Sequence, residues 1–277
     1  MSSYLITNHL GIIKYAPLIF LLSIIIFLLF GWLYGRYRIR TSKDVIVRDS
    51  LATAIFSLSA LVLGFTFSGS NDHFNQRMNN ARNEAVSIER VYQSSKYLQA
   101  ADQAAVQRTL REILNTRLNV YKDITVLEDL NIHLDALNAQ LTKVNEELVL
   151  GIPKAPQKYK EFADKILSPQ LGQLLEAFSN GVLQSKNHPP AIIERFLFIL
   201  LCVGSLLSGY AMAVQKEEDW FLTFLYVGLM GFAILVIFSL EFPNQLFPYD
   251  VLNAELLRVQ ERIRWMNEPF SEKPSLD

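Results

Sequence analysis

Ser50–Leu98 reads SLATAIFSLSALVLGFTFSGSNDHFNQRMNNARNEAVSIERVYQSSKYL, and its two halves have opposite character. Leu51–Ser70 is apolar and long enough to cross a bilayer, which takes about 20 residues at ~1.5 Å each. With no proline, and no glycine after Gly69, the chain continues into a polar helical pattern. One helix is therefore predicted to leave the membrane without a break. Thr53, Ser57, Ala60, Gly64, Ser68, Asn71 and Asn75 recur at steps of three and four, so they share one helical face. Ile55, Leu58, Val62, Leu63 and Phe65 lie off that face. A small, polar stripe on a span has two physical readings. Small residues let helix backbones approach where lipid offers no hydrophobic drive. Alternatively, the stripe meets water in a pore shared between copies of the chain. The pattern alone favours packing.

The surrounding chain fits a membrane protein. Its 277 residues are 51% hydrophobic and 19% charged, and the apolar excess is gathered in four runs with the charges between them. A net charge of −1 leaves no broad basic face for nucleic acid. Cys202 is the single cysteine and the four histidines are scattered, so neither a disulfide framework nor a metal cluster is expected. No cofactor is expected.

Outward from the central stretch, residues 1–14 form an N-terminal lead and residues 15–70 the first transmembrane pair. Ala16–Tyr34 is the first span, almost purely aliphatic, flanked by Tyr15, Trp32 and Tyr34, and expected to face lipid. It is too long for a signal-peptide core. The loop 35–49 carries Arg36, Arg38, Arg40, Lys43 and Arg48 against two aspartates, which suits lipid headgroups more readily than an anion vestibule.

Residues 71–188 read as a polar helical bundle. Its seams are Ala81, Ala85, Ile88 and Tyr92; then Val106, Leu110, Ile113, Leu118, Tyr121 and Ile124 behind a cap at Asp102; then Leu130, Leu134, Leu137, Leu141, Val144 and Leu148. A fourth, bent near Pro169, offers Phe162, Ile166, Leu171, Leu174, Leu175, Phe178 and Val182. Residues 189–242 hold the second transmembrane pair, joined by a turn short enough to force a hairpin, with a small-residue face at Gly204, Ser205, Ser208 and Gly209. Residues 243–277 add an amphipathic helix near 253–267, able to lie on the membrane or dock on the bundle, and a tail. The predicted fold class is an all-α membrane protein with four transmembrane helices and a helical bundle inserted between the second and third. Both termini then share a side with the bundle; the basic residues are split between the two sides, so charge leaves the orientation open.

Leu61–Tyr92 resembles the signature of the bacterial bestrophin-like domain membrane proteins. There a G-F-x-F-S turn precedes a phenylalanine, arginines and a Glu-Ala pair, matched here by Gly64, Phe65, Phe67, Ser68, Phe74, Arg77, Arg82, Glu84 and Ala85. The two-span, bundle, two-span layout is similar over most of the chain; the bundle interior and the segment after Glu241 match loosely. The resemblance implies kinship with bestrophins, pentameric anion channels whose second span lines the pore and whose helical domain is cytosolic. It implies a stripe from Thr53 to Asn71 lining a conduit, with Phe65 or Phe67 as an apolar constriction. It also implies residence in a bacterial inner membrane. The acidic clusters that hold calcium in bestrophins have no counterpart, and Glu217, Glu218 and Asp219 read as a solvated turn.

The sequence has no phosphate-binding glycine loop, no H-E-x-x-H and no nucleophile elbow. Asp72 and His73 are helix neighbours that point apart. No enzyme is expected. Two functional readings remain: an oligomeric channel for small inorganic anions, embedded in the lipid bilayer, and a membrane sensor or scaffold whose bundle binds a partner or ligand.

Overall fold

In the computed structural model, which describes residues 15–41, 49–120, 127–186, 191–215, 219–243 and 247–267, every regular element is helical. The N-terminal lead, Lys43, Asp44 and Arg48, Tyr121 and Ile124, Pro189 and Pro190, Glu217 and Glu218, and the tail after Asn267 lie outside the described residues. The main helices are α1 (Ala16–Thr41), α2 (Asp49–Ser94), α3 (Ala100–Asn119), α4 (Leu127–Gly151), α5 (Ser168–Lys186), α6 (Ala191–Gln215), α7 (Trp220–Glu241) and α8 (Ala254–Asn267). The chain divides into two compact units: Gly11–Phe74 with His188–Leu246, and Asn75–Asn187 with Phe247–Asp277. Among the described residues four helices, α1, α2, α6 and α7, are long and apolar enough to cross a membrane.

In the first unit, α1 packs chiefly on α6. The reason is a pair of small-x-x-x-small spacings, Gly31 with Gly35 and Gly209 with Ala213. A Cβ at Gly31 would run into the carbonyl of Leu206, and one at Gly209 into the carbonyl of Leu28. Backbones this close gain dispersion where lipid removes any hydrophobic drive. The expectation that α1 simply faces lipid is thus corrected: Ile24 and Leu28 are buried against Leu197 and Leu201, while Leu18, Ile26 and Phe30 stay exposed. Aromatic contacts finish the joint, with Phe20 at 4.7 Å from Phe198 and 5.3 Å from Phe238. Asp219 caps α7, its carboxylate accepting from the Leu222 N–H at 3.0 Å.

The second unit is built on the predicted seams. Ile88, Leu110, Ile113, Leu137, Val144, Leu148, Leu174 and Phe178 are essentially inaccessible and form one core. Each such side chain contributes about 1.5–3 kcal/mol on burial. Three details differ from expectation. Asp102 sits inside the first turn of α3, whose N-cap is Gln99, because the turn begins at Ala100. The bend before α5 is a π-helical turn at Ala163–Leu167, drawn inward by buried Ala163 and Leu167. Phe162, expected in the seam, is instead 54% exposed and stacks on Tyr97, because the wide turn rotates it off the buried face. Helix α8 docks on the bundle through Leu256, Val259 and Ile263, with Arg262 bonded to Glu89 at 2.7 Å.

Candidate functional site: the uncovered face of α2

Helix α2 is unbroken for 46 residues, and its apolar stretch is the least covered of the four: 6% of it is buried, against 50% for α6. One edge does pack. Val62 and Leu63 lean on the core of the first unit, the Phe56 ring lies 6.2 Å from that of Tyr226, and Ser59 and Ser70 are buried. The hydroxyls on this edge close on their own helix, Ser59 donating to the Ile55 carbonyl at 2.7 Å and Thr66 to that of Val62 at 2.8 Å. Such back-bonds are how a hydroxyl satisfies itself where water is absent.

The opposite face carries the stripe. Thr53, Ser57, Ala60, Gly64, Ser68 and Asn75 are exposed and Asn71 is half-buried. Around Gly64 nothing lies within 4 Å of where a Cβ would stand. The hydroxyls of Ser57 and Ser68 make no hydrogen bond among the described residues. Large apolar residues flank the stripe, Phe67 beside Ala60 at 46% exposure and Phe65 beyond Ser68 at 69%. The chain therefore leaves this row of small and polar residues uncovered and buries the residues behind it, whereas Gly204, Ser205 and Gly209 on α6 are packed.

The motif residues after the span divide by environment. Phe74 and Arg77 are half-buried. Arg82 is exposed and 3.7 Å from Glu255 on α8, whereas Ala85 is in the bundle core. Glu84 is 2% exposed and accepts from Arg117 Nε at 2.6 Å. Burial raises the Glu84 pKa above the usual carboxylate value, and the charge and hydrogen bond of Arg117 pull it back down. The second carboxylate oxygen faces Gly181, where any Cβ would strike it. Tyr249 lies close by, its hydroxyl donating to the Leu118 carbonyl at 3.0 Å. Sequence reasoning missed Arg117 and Gly181. Arg117 follows buried Ile113 and Leu114 by four and three residues, and that spacing is the signal that it shares the inward face of α3.

Among the described residues, no cluster of three or more His, Cys, Asp and Glu is placed to hold a metal. Asp72 is exposed and His73 half-buried. In the first unit a cavity of about 20 Å³, bordered by Phe20, Thr66, Glu194, Phe238 and Glu241, has room for roughly one water.

No protein-family model matches the chain, and no curated protein does. Solved structures do. A mutant of a bacterial bestrophin homolog from Klebsiella pneumoniae has a TM-score of 0.64 to this chain, covering 93% of it and 100% of the homolog, at 15% identity. The fold is bestrophin-like. A second mutant of that homolog matches at TM-score 0.60 and 15% identity, covering 91% of this chain and 99% of the homolog. A structure described as a membrane protein matches at 0.60 and 13%, covering 87% and 97%. In this bestrophin-like fold α1 and α2 form the first pair of spans, α3–α5 belong to the inserted bundle, and α6 and α7 form the second pair.

Proposed function

We propose that the protein is an oligomeric ion channel of the bestrophin type that conducts small inorganic anions, with α2 lining the pore. The observation that carries this reading is the uncovered stripe, with its unbonded Ser57 and Ser68 hydroxyls, on the span that the rest of the chain covers least. Hydroxyls turned toward hydrocarbon would lose their hydrogen bonds to water, with only a back-bond to their own helix in exchange. Turned toward an axis shared by several protomers, five in this reading, they meet water and ions. Thr53, Ser57, Ala60, Gly64, Ser68, Asn71 and Asn75 then line the conduit. Phe65 and Phe67 are the candidates for an apolar constriction, and their large flanking rings suit contacts between protomers. Residues 15–70 and 189–242 form the membrane part, 71–188 a cytosolic bundle and 243–277 its C-terminal helix and tail, in a bacterial inner membrane.

Reconstitution in liposomes tests this. Purified protein should pass chloride, and Gly64→Trp should abolish flux while keeping the wild-type melting temperature, since the added side chain meets open space within the protomer. A strictly monomeric protein, or wild-type liposomes tight to every small ion, would overturn the proposal.

A further inference from the structure

At the C-terminal end of α2 the chain builds a surface that the channel reading does not use. The helical segment Lys160–Leu167 meets both the 3₁₀ turn Ser95–Tyr97 and the turn Ile152–Lys154, and the Gln99 side chain, just past the first turn, donates to the Lys154 carbonyl. Three rings close there: Tyr97 lies 5.8 Å from Tyr159 and 5.9 Å from Phe162, stacked on the latter. Tyr97 and Tyr159 are half-buried by this packing, whereas Phe162 stays more than half exposed. Two lysines stand against the rings. Lys96 Nζ stands 5.3 Å from the Tyr97 centroid, and Lys158 Nζ 5.3 Å from that of Tyr159.

Of the nearby acids, Glu161 is paired with Lys165 at 2.6 Å and Asp164 accepts from the Ser168 hydroxyl. Lys96, Lys154, Lys158 and Lys160 have no carboxylate in ion-pair range among the described residues. Four lysines without an ion-pair partner thus lie on or beside the segments that meet at these rings, in a chain of net charge −1. An aromatic anchor within a charged rim is the plan of a protein-binding hot spot: the ring supplies affinity, the rim supplies steering and specificity. Other anionic partners fit less well. Tight nucleic-acid binding rests on about 6–10 phosphate contacts. A membrane-surface element presents a whole apolar helix face, whereas here one ring is open.

We propose that this end of the bundle docks an acidic segment of a partner protein, an apolar side chain of that segment seated on Phe162 and its carboxylates among Lys96, Lys154, Lys158 and Lys160. The test uses the full chain in neutral-lipid nanodiscs and a fluorescent peptide of alternating Asp and Glu with one central Trp. Binding should be saturable and should weaken with salt. Phe162→Ala and the double charge reversal Lys158→Glu/Lys160→Glu should each weaken it roughly tenfold, about 1.4 kcal/mol. Replacing the peptide's Trp by Ser should do the same to the wild type and nothing further to Phe162→Ala. Lys158 and Lys160 are exposed, so the charge reversal should leave the melting temperature unchanged, while Phe162→Ala should lower it only by the loss of the stack on Tyr97. Equal binding of the Trp and Ser peptides would overturn the proposal, as would indifference to the charge reversal. So would capture of phosphatidylserine vesicles, lost in the same variants, by a protein that ignores the peptide.

Discussion

Arg117 reaches from α3 to α2 and donates from Nε to Glu84 at 2.6 Å, inside a bundle where the carboxylate is 2% exposed. Water has almost no access to Glu84 and little to Arg117. Removing one charge of a buried pair leaves the other uncompensated, a loss of about 3–5 kcal/mol. Glu84→Ala and Arg117→Ala should each lower the melting temperature of the detergent-solubilised protein markedly, and the double variant should lose less than the sum. Strict additivity would mean the two groups act independently.

The same carboxyl sets a pH dependence. Burial holds its folded pKa above the 4.5 of an unperturbed glutamate, with Arg117 opposing. The folded state therefore keeps this proton to higher pH than the unfolded chain. Its contribution to stability is full below about 4.5 and declines as pH rises through the folded value. Glu84→Gln carries no titrating proton. The melting temperature of the wild type minus that of Glu84→Gln should fall from acid toward neutral pH; a gap that widened instead would reverse the assignment.

Gly181 on α5 has no room for a side chain, since a Cβ would meet the free oxygen of Glu84. Gly181→Ala should cost about 1–3 kcal/mol, the usual penalty for overpacking a tight core. In a Glu84→Ala background the obstruction is gone, so the same substitution should become nearly neutral. Thermal unfolding of the four proteins in that cycle checks it. A penalty unchanged by Glu84→Ala would place the clash elsewhere.

Gly31 and Gly209 bring the backbones of α1 and α6 together. Gly31→Val or Gly209→Val should force the helices apart and sharply reduce the yield of folded protein in detergent. Gly228→Val, at a glycine with nothing within 4 Å, should be silent by the same assay. Equal loss in all three would show that the yield reports something other than this joint.

The helical architecture was legible because its causes are local. Apolar runs of membrane length and leucine seams at steps of three and four leave a helix little choice of which face to bury. The stripe on α2 was legible as one helical face, as was its continuation past Ser70; its lack of cover was not, since small residues at this spacing favour packing and the neighbouring spans leave it open. What escaped was decided by pairs far apart in sequence. Nothing near Glu84 announces that a guanidinium on another helix will neutralise it, and nothing near Gly181 says whose side chain it must accommodate. The spacing of Gly31 with Gly35 was a signal in plain view, masked by the aliphatic residues around it. Phe162 looked like a core residue by type; only the wide turn that follows turns it outward.

The near-contact of Gly31 with the Leu206 carbonyl bears on how a mutational scan of this chain would read. Intolerance at 31 and 209 would mark the joint between two helices and no functional surface. The most sensitive sites would trace the scaffold. On the proposed channel reading, the positions that change transport while sparing the fold would be found among those, such as 64, where a new side chain meets open space.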